Sequence, residues 1–143
     1  VGDLNTARNC TSGAGSSTAA LASGAFIQNA GTNSGITESW NGSSWTEMND
    51  LNTGRSSNAL AGEYQSCISV GGYGPGSPNY KDQTEDWNGA TWSEVADLST
   101  GRQSLGAAGS SSLAVAFGGD TPSYTTSTEE WTLENDLIKV LTD

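Results

Sequence analysis

Residues 87–119 read WNGATWSEVADLSTGRQSLGAAGSSSLAVAFGG, and almost every feature of that stretch occurs elsewhere in the chain at a fixed offset. Asp97-Leu98-Ser99-Thr100-Gly101-Arg102 matches Asp50-Leu51-Asn52-Thr53-Gly54-Arg55 and Asp3-Leu4-Asn5-Thr6-Ala7-Arg8. Trp87-Asn88-Gly89, with Trp92 and Glu94, matches Trp40-Asn41-Gly42, with Trp45 and Glu47. Gly118-Gly119 matches Gly71-Gly72 and, with one change, Gly24-Ala25. Asp97, Asp50 and Asp3 are spaced 47 residues apart. A period of roughly 20–50 residues belongs to solenoids, propellers or arrays, whose units bury their apolar faces against one another. Residues locked to the period therefore read as scaffold, and residues that break it are candidates for specific function.

Each unit divides into four short strands. The first, 56–61 or 103–108, is small and Ala-rich, which suits a crowded position near an axis. The second, 67–70 or 113–117, ends at the glycine pair; large and small residues alternate along 113–117, as expected of a strand packed on both faces by unequal neighbours. The third ends in Thr-Glu-x-Trp at Trp40, Trp87 and Trp131. Asn41-Gly42 and Asn88-Gly89 then supply the positive φ of a hairpin. The fourth strand carries Trp45 or Trp92, and the Asp-Leu-x-Thr-x-Arg link leads onward. Four antiparallel strands at this period describe a propeller blade. The units run at about 8–54, 55–101 and 102–143, within a single domain over 1–143.

The order of strand, double glycine, loop, aromatic, short turn, Trp, strand and Arg resembles the kelch repeat, the blade motif of galactose oxidase and of many binding propellers. Gly71, Gly72, Gly118 and Gly119 match its double glycine, and Trp45 and Trp92 match its signature Trp. Trp40, Trp87 and Trp131 stand where that family usually has Tyr. The resemblance covers residues 1–131 and implies an all-β fold, a β-propeller of kelch-type four-stranded blades with about three blades in this chain. The wording Thr-Glu-x-Trp-Asn-Gly-x-x-Trp-x-Glu is also similar to kelch-like repeats of marine bacteriophage proteins, which implies an extracellular or virion setting. Two departures stand out. Gly24-Ala25 replaces the double glycine in the first unit, so the backbone there is expected to differ. Thr132-Leu133-Glu134-Asn135 replaces the second Trp motif in the third. The tail 136–143 fits no repeat, and its apolar residues suggest an altered outer strand at the C-terminal end of an array. The chain begins at Val1 in mid-repeat, as a cleaved or excised piece of something longer would.

Composition narrows the chemistry. The 143 residues include 19 Gly and 5 Trp, and only 34% are hydrophobic, which fits short strands and many turns. No apolar run is long enough for a membrane-spanning helix, and no basic, apolar N-terminal stretch reads as a signal peptide. A net charge of −11 opposes binding to nucleic acid or anionic lipid. The chain has no His, so the copper chemistry of galactose oxidase does not carry over, a zinc site lacks its usual ligands, and no Ser-His or Cys-His pair exists. No cofactor is expected. Cys10 and Cys67 occupy different repeat positions, and each reads as a small residue on a packed strand. The Gly-x-x-Trp spacing of Gly42 to Trp45 lacks the Asp of a sialidase Asp box.

Arg8, Arg55 and Arg102 are three of only five cations and are locked to the period, as are Glu38, Glu85 and Glu129. A ring of Arg could serve an anionic ligand; the reading preferred is a recurring Arg–carboxylate or Arg–backbone bond that ties successive blades. The tryptophans could stack on sugars, but repeat-locked positions favour the blade core. The period breaks most in the loops 26–33, 73–83 and 120–127, and strand alternation brings these out on the same face as the Arg links. Tyr73, Tyr80, Lys81 and Tyr124 are the ligand-binding candidates there. The leading function is a non-catalytic binding or structural module of a surface or virion assembly, taking a protein or glycan. The alternative is a glycan-active enzyme using loop carboxylates. About three blades reach only part way round a propeller. The expected partners are therefore a second copy, giving six blades, or further blades of a longer polypeptide, with apolar residues such as Leu21, Val115 and Phe117 left at the open ends.

Overall fold

The computed structural model describes residues 1–133 and 137–140. They form twelve strands, and no helix is present among them: β1 Ser12–Gly15, β2 Ala20–Ile27, β3 Thr32–Trp40, β4 Trp45–Glu47, β5 Ala59–Glu63, β6 Ser66–Tyr73, β7 Tyr80–Trp87, β8 Trp92–Glu94, β9 Gly106–Gly109, β10 Leu113–Phe117, β11 Thr128–Thr132 and β12 Leu137–Val140. These make three open antiparallel sheets of four strands, each in simple up-and-down order. Sheet I is β1–β4, sheet II is β5–β8 and sheet III is β9–β12. The starts of β1, β5 and β9 repeat at Ser12, Ala59 and Gly106, 47 residues apart. The inner strands β1, β5 and β9 lie beside one another, so the sheets stack face to face.

Side-chain alternation divides each sheet into two faces. In sheet II, Cys67 and Trp87 pair across β6 and β7 and point at sheet I. Ile68 and Val70 point the other way, against Ala114, Ala116 and Trp131 of sheet III. Two apolar layers result. The first joins Leu21, Leu51, Leu60, Cys67, Trp87 and Trp92. The second joins Ile68, Val70, Leu98, Leu105 and Trp131 with four small alanines, Ala59, Ala61, Ala114 and Ala116. The hairpin tryptophans pack as cross-strand pairs, Trp40 on Trp45 at 5.4 Å and Trp87 on Trp92 at 5.1 Å between ring centroids. Their turns form as the Asn-Gly pairs imply: Gly42 and Gly89 take φ of 92° and 93°, and the Asn41 and Asn88 side chains accept backbone N–H bonds from the turn.

Several sequence-based boundaries move. The first strands begin three residues later than expected, because Ser57 and Ser104 take left-handed φ of 55° and 54° and keep the preceding residues in the link. Cys10 occupies the same position with φ 54° and is exposed, not on a packed strand. In the third unit β10 stops at Phe117, before its glycine pair, as expected, but the second strands of the first two units do not stop at the glycines. β6 runs through Gly71 and Gly72 to Tyr73 by a bulge, and β2 does so past Gly24. Gly24 and Gly71 hold the bulge with φ of 70° and 61°, and Gly118, just past β10, takes the same conformation at 65°. Ala25 forms its bulge without the positive φ of Gly72 and Gly119, so the first unit's backbone differs there as expected. Residues 113–117 were expected to pack on both faces, but only the small side does. Ala114 and Ala116 are buried, while Leu113 and Phe117 are exposed because no described sheet covers that side. Leu21, expected in water, is 1% exposed, since β2's alternation aims it at sheet II. β12 pairs with β11 as the anticipated outer strand, while 134–136 and 141–143 lie outside the described residues.

The bulge glycine is tested by Gly71→Ala. Its added Cβ would lie 2.6 Å from the Arg102 carbonyl oxygen at φ +61°, whereas a Cβ on Gly31, at φ +65°, meets nothing within 4 Å. Urea denaturation should show Gly71→Ala losing clearly more stability than Gly31→Ala, whose cost is about the 1–2 kcal/mol of the left-handed conformation alone. Equal losses would mean that the close approach is unimportant. Cys67 gives a pH test. Burial, with Asp86 nearby, pushes its thiol from 9.0 up to about 12. The unfolded chain loses this proton first, so stability should be flat below pH 9 and fall as pH rises towards 12. That fall should be shallower in Cys67→Ala, and thiol reagents should label Cys10 but not Cys67 in the native protein.

Candidate functional site

The links between sheets and the loops between second and third strands share one face. Backbone bridges join them in each unit: Asn9 to Phe26, Ser56 to Tyr73 and Gln103 to Asp120. This matches the expectation from strand alternation and places the repeat-locked arginines directly beneath the variable loops.

Each link is fastened at both ends. Asp50 accepts the N–H of Thr37 and Leu51 donates to the carbonyl of Gly35, both on sheet I. Asn52 then bonds Glu85 of sheet II through its backbone N–H at 2.8 Å and its side-chain amide at 2.9 Å. Arg55 completes the hold with Nη1 donating to Glu85 Oε1 at 2.8 Å. The next link repeats this: Asp97 takes the N–H of Thr84, Ser99 N–H donates to Glu129, and Arg102 Nη1 donates to Glu129 Oε1 at 2.6 Å. In the first unit Asn5 bonds Glu38 and Arg8 lies 3.1 Å from it. The side chains of these ion pairs are at most 1% exposed. Burial pulls the Arg55 guanidinium below its ordinary value, and the charge and hydrogen bond of Glu85 pull it back up. Arg8 is lowered by the same cause, with Glu38 opposing. Arg55 and Arg102 thus tie one sheet's exit to the next sheet's third strand by a recurring Arg–carboxylate bond, and Arg8 pairs with Glu38 within the first unit.

Sequence reasoning missed how tightly this link is packed against the ladder. Ala25 N–H donates to the Arg55 carbonyl, and Gly72 N–H to that of Arg102, so each bulge is bonded to the following link. Ser57 N–H donates to the Cys10 carbonyl and Ser104 N–H to that of Ser57, a chain of bonds that steps from unit to unit. The signal was present in the small residues at 10, 57 and 104, but their left-handed backbone is not readable from Cys or Ser.

The four loop candidates separate. Tyr73 ends β6 and Tyr80 begins β7, so the loop itself is only 74–79. Their rings meet edge to face at 5.7 Å, and Asn79 donates to the Tyr73 hydroxyl. Lys81 is no ligand-facing cation: it is 8% exposed, and its Nζ donates to the Pro75 and Pro78 carbonyls at 2.8 Å each, which cradles the loop from beneath. Tyr124 is 96% exposed on the third loop. It is joined to Asp120 by a backbone bridge, and together with Pro122 and Ser123 they line a shallow hollow. Asp120, which the sequence did not single out, bridges the link at Gln103 and the third loop at Tyr124 through its backbone. Partial burial first, then the Asp120 charge, raises the Tyr80 hydroxyl above its ordinary value. Gln103 Nε2 donates to Asp120 Oδ2 at 3.2 Å. The resulting surface presents aromatic rings beside hydrogen-bonding groups. Among the described residues no group of three or more His, Cys, Asp or Glu could hold a metal ion.

Of the tryptophans, Trp87, Trp92 and Trp131 are 1%, 5% and 3% exposed and belong to the interior. Trp40 and Trp45 are half-buried. Arg55→Ala would leave Glu85 charged and buried, a change that costs about 3–5 kcal/mol. Chemical denaturation should show that loss, and the paired change Arg55→Met with Glu85→Gln should recover much of it. A silent Arg55→Ala would remove the clamp from the account.

No protein-family model matches the chain, and no curated protein does. Among solved structures, the one described as the structure of YjhT superimposes with a TM-score of 0.77 at 14% identity, over 98% of this chain and 47% of that one. The chain therefore spans about half the length of that structure and shares its fold over that span.

Proposed function

We propose that this chain is a segment of a β-propeller, with sheets I–III as three kelch-type four-stranded blades, and that it works as a non-catalytic binding and structural module. Three face-packed, four-stranded sheets at a constant period, matching half of a chain about twice as long, support the propeller reading. The observation that carries the binding role is the contrast on the loop face. The period-locked Glu38, Glu85 and Glu129 are buried and each is engaged by an Arg and by the link's Asn or Ser, which leaves them no part in acid–base work. Above them the loops differ in length and sequence and present Tyr73, Tyr80, Asp120 and Tyr124. Rigid aromatic side chains on loops held by a fixed scaffold suit recognition of a protein or glycan. The net charge of −11 disfavours nucleic acid and anionic lipid as partners.

A glycan panel and a display library screened against the protein test this reading. Tyr124→Ala should weaken the ligand found by roughly tenfold or more, as loss of an aromatic anchor does, with an unchanged melting temperature because the side chain packs on nothing. Replacing 74–79 by Gly-Ser should likewise change binding and leave the fold intact. Binding that survives both changes places the site elsewhere. Release of free sugar from any panel member would replace the binding module with the glycan-active enzyme.

A further inference from the structure

The two ends of the sheet stack carry complementary halves of an interface that the chain already makes twice. On sheet III the outward face presents Leu113, 65% exposed, Phe117, 45% exposed, and half-buried Val115. At the positions of Val115 and Phe117 one unit earlier, Ile68 and Val70 are 1% and 2% exposed because sheet III covers them. On sheet I the outward face presents half-buried Ala20, Trp40 and Trp45. One unit later the same positions hold Cys67, Trp87 and Trp92 at 0%, 1% and 5% exposure, covered by sheet I. The exposed apolar residues are thus those for which the repeat has a partner surface, and that surface stands at the other end of the same molecule.

We infer that these faces close on each other in a homodimer, with sheet I of one copy on sheet III of its partner and the reverse. This rests on the propeller reading and gives a six-blade ring whose two-fold axis is the ring axis. The inference commits to a second copy because this chain supplies both halves of the joint. Two copies also account for about the whole of the YjhT fold, of which one copy matches 47%.

The repeat states which bonds should form. Trp92 Nε1 donates to Thr37 Oγ1 at 3.1 Å between sheets I and II. Trp45 is equivalent to Trp92, and Thr128 to Thr37, so Trp45 Nε1 of one copy donates to Thr128 Oγ1 of the other. The joint between sheets II and III lacks this bond: its second Trp is lost in the third unit, and Thr84 Oγ1 has no partner among the described residues. Two backbone bonds extend in the same way. Cys10 N–H meets the Ser104 carbonyl across the joint, as Ser57 meets Cys10 and Ser104 meets Ser57. Gly119 N–H meets the Arg8 carbonyl, as Gly72 meets Arg102. Each copy carries −11, so long-range repulsion opposes encounter and salt that screens it promotes closure.

Sedimentation of the 143-residue chain over a salt series is the test. The expected particle has twice the 14.6 kDa chain mass, tighter at moderate than at low salt. Val115→Lys and Phe117→Lys, at the positions whose equivalents Ile68 and Val70 are buried by sheet III, should give monomers with an unchanged circular dichroism spectrum. Trp45→Phe and Thr128→Val should each raise the dimer Kd roughly tenfold, the loss of one hydrogen bond in each of two joints. A monomeric parent chain, a mass other than two chains, or a dimer indifferent to Val115→Lys overturns the inference. So does an open polymer, the outcome of a head-to-tail contact that fails to close. A monomer that still binds ligand through Tyr124 would sink ring closure alone and leave the binding role standing.

Discussion

Arg55 sits where a guanidinium has no access to water, and Glu85 beside it is equally buried. Neither charge is tolerable there without the other, because desolvating a lone ion costs several kcal/mol. The carboxylate is also the acceptor for Asn52 and Thr53 backbone N–H groups, so the link between sheets I and II is folded around it. Such a pair adds less net stability than its geometry suggests, since an apolar replacement would avoid the desolvation altogether. What it supplies is position. The link can satisfy the carboxylate in one arrangement, and that arrangement sets where the next inner strand begins.

The same link is bonded to the sheet before it by Asp50 and Leu51. One six-residue phrase therefore carries two instructions: Asp-Leu addresses the preceding sheet, and Asn-Thr-Gly-Arg the following one. The glycine bulge belongs to this device. Gly71 must have no side chain because the Arg102 carbonyl of the next link passes against it. Scaffold contacts thus occupy the bottom of the loop face in every unit, and the variable side chains are those that rise above them. Tyr80 and Tyr124 rise above them. Lys81 does not, because its ammonium is spent holding the loop's proline carbonyls.

Packing between sheets obeys the same economy of parts. A large β-branched or aliphatic face meets a tryptophan-and-small face at each joint, and neither face can cover itself. This explains the uneven burial of chemically identical residues: Trp92 is 5% exposed, whereas Trp45 is half-buried. The difference lies in the neighbour and not in the residue. A stack built this way leaves an apolar face without a covering sheet at each end of the described residues.

Much of this was legible in the chain itself. The 47-residue period, four strands per unit, the Asn-Gly hairpins and the scaffold role of Arg8, Arg55 and Arg102 follow from local residue types at fixed spacing. Local backbone chemistry writes such features directly. Three things were decided only in the tertiary structure. The left-handed turns at Cys10, Ser57 and Ser104 exist because inter-unit backbone bonds hold them, and nothing in those side chains asks for positive φ. Lys81 became structural because a six-residue loop brought two carbonyls over it. Leu21 became core because alternation assigns a side chain to a face, while only a neighbouring sheet determines whether that face meets water. The candidate site was half legible for the same reason: the sequence marked Tyr73, Tyr80 and Tyr124 by their departure from the period, but Asp120 gained its place from the backbone bridges that set it between Gln103 and Tyr124.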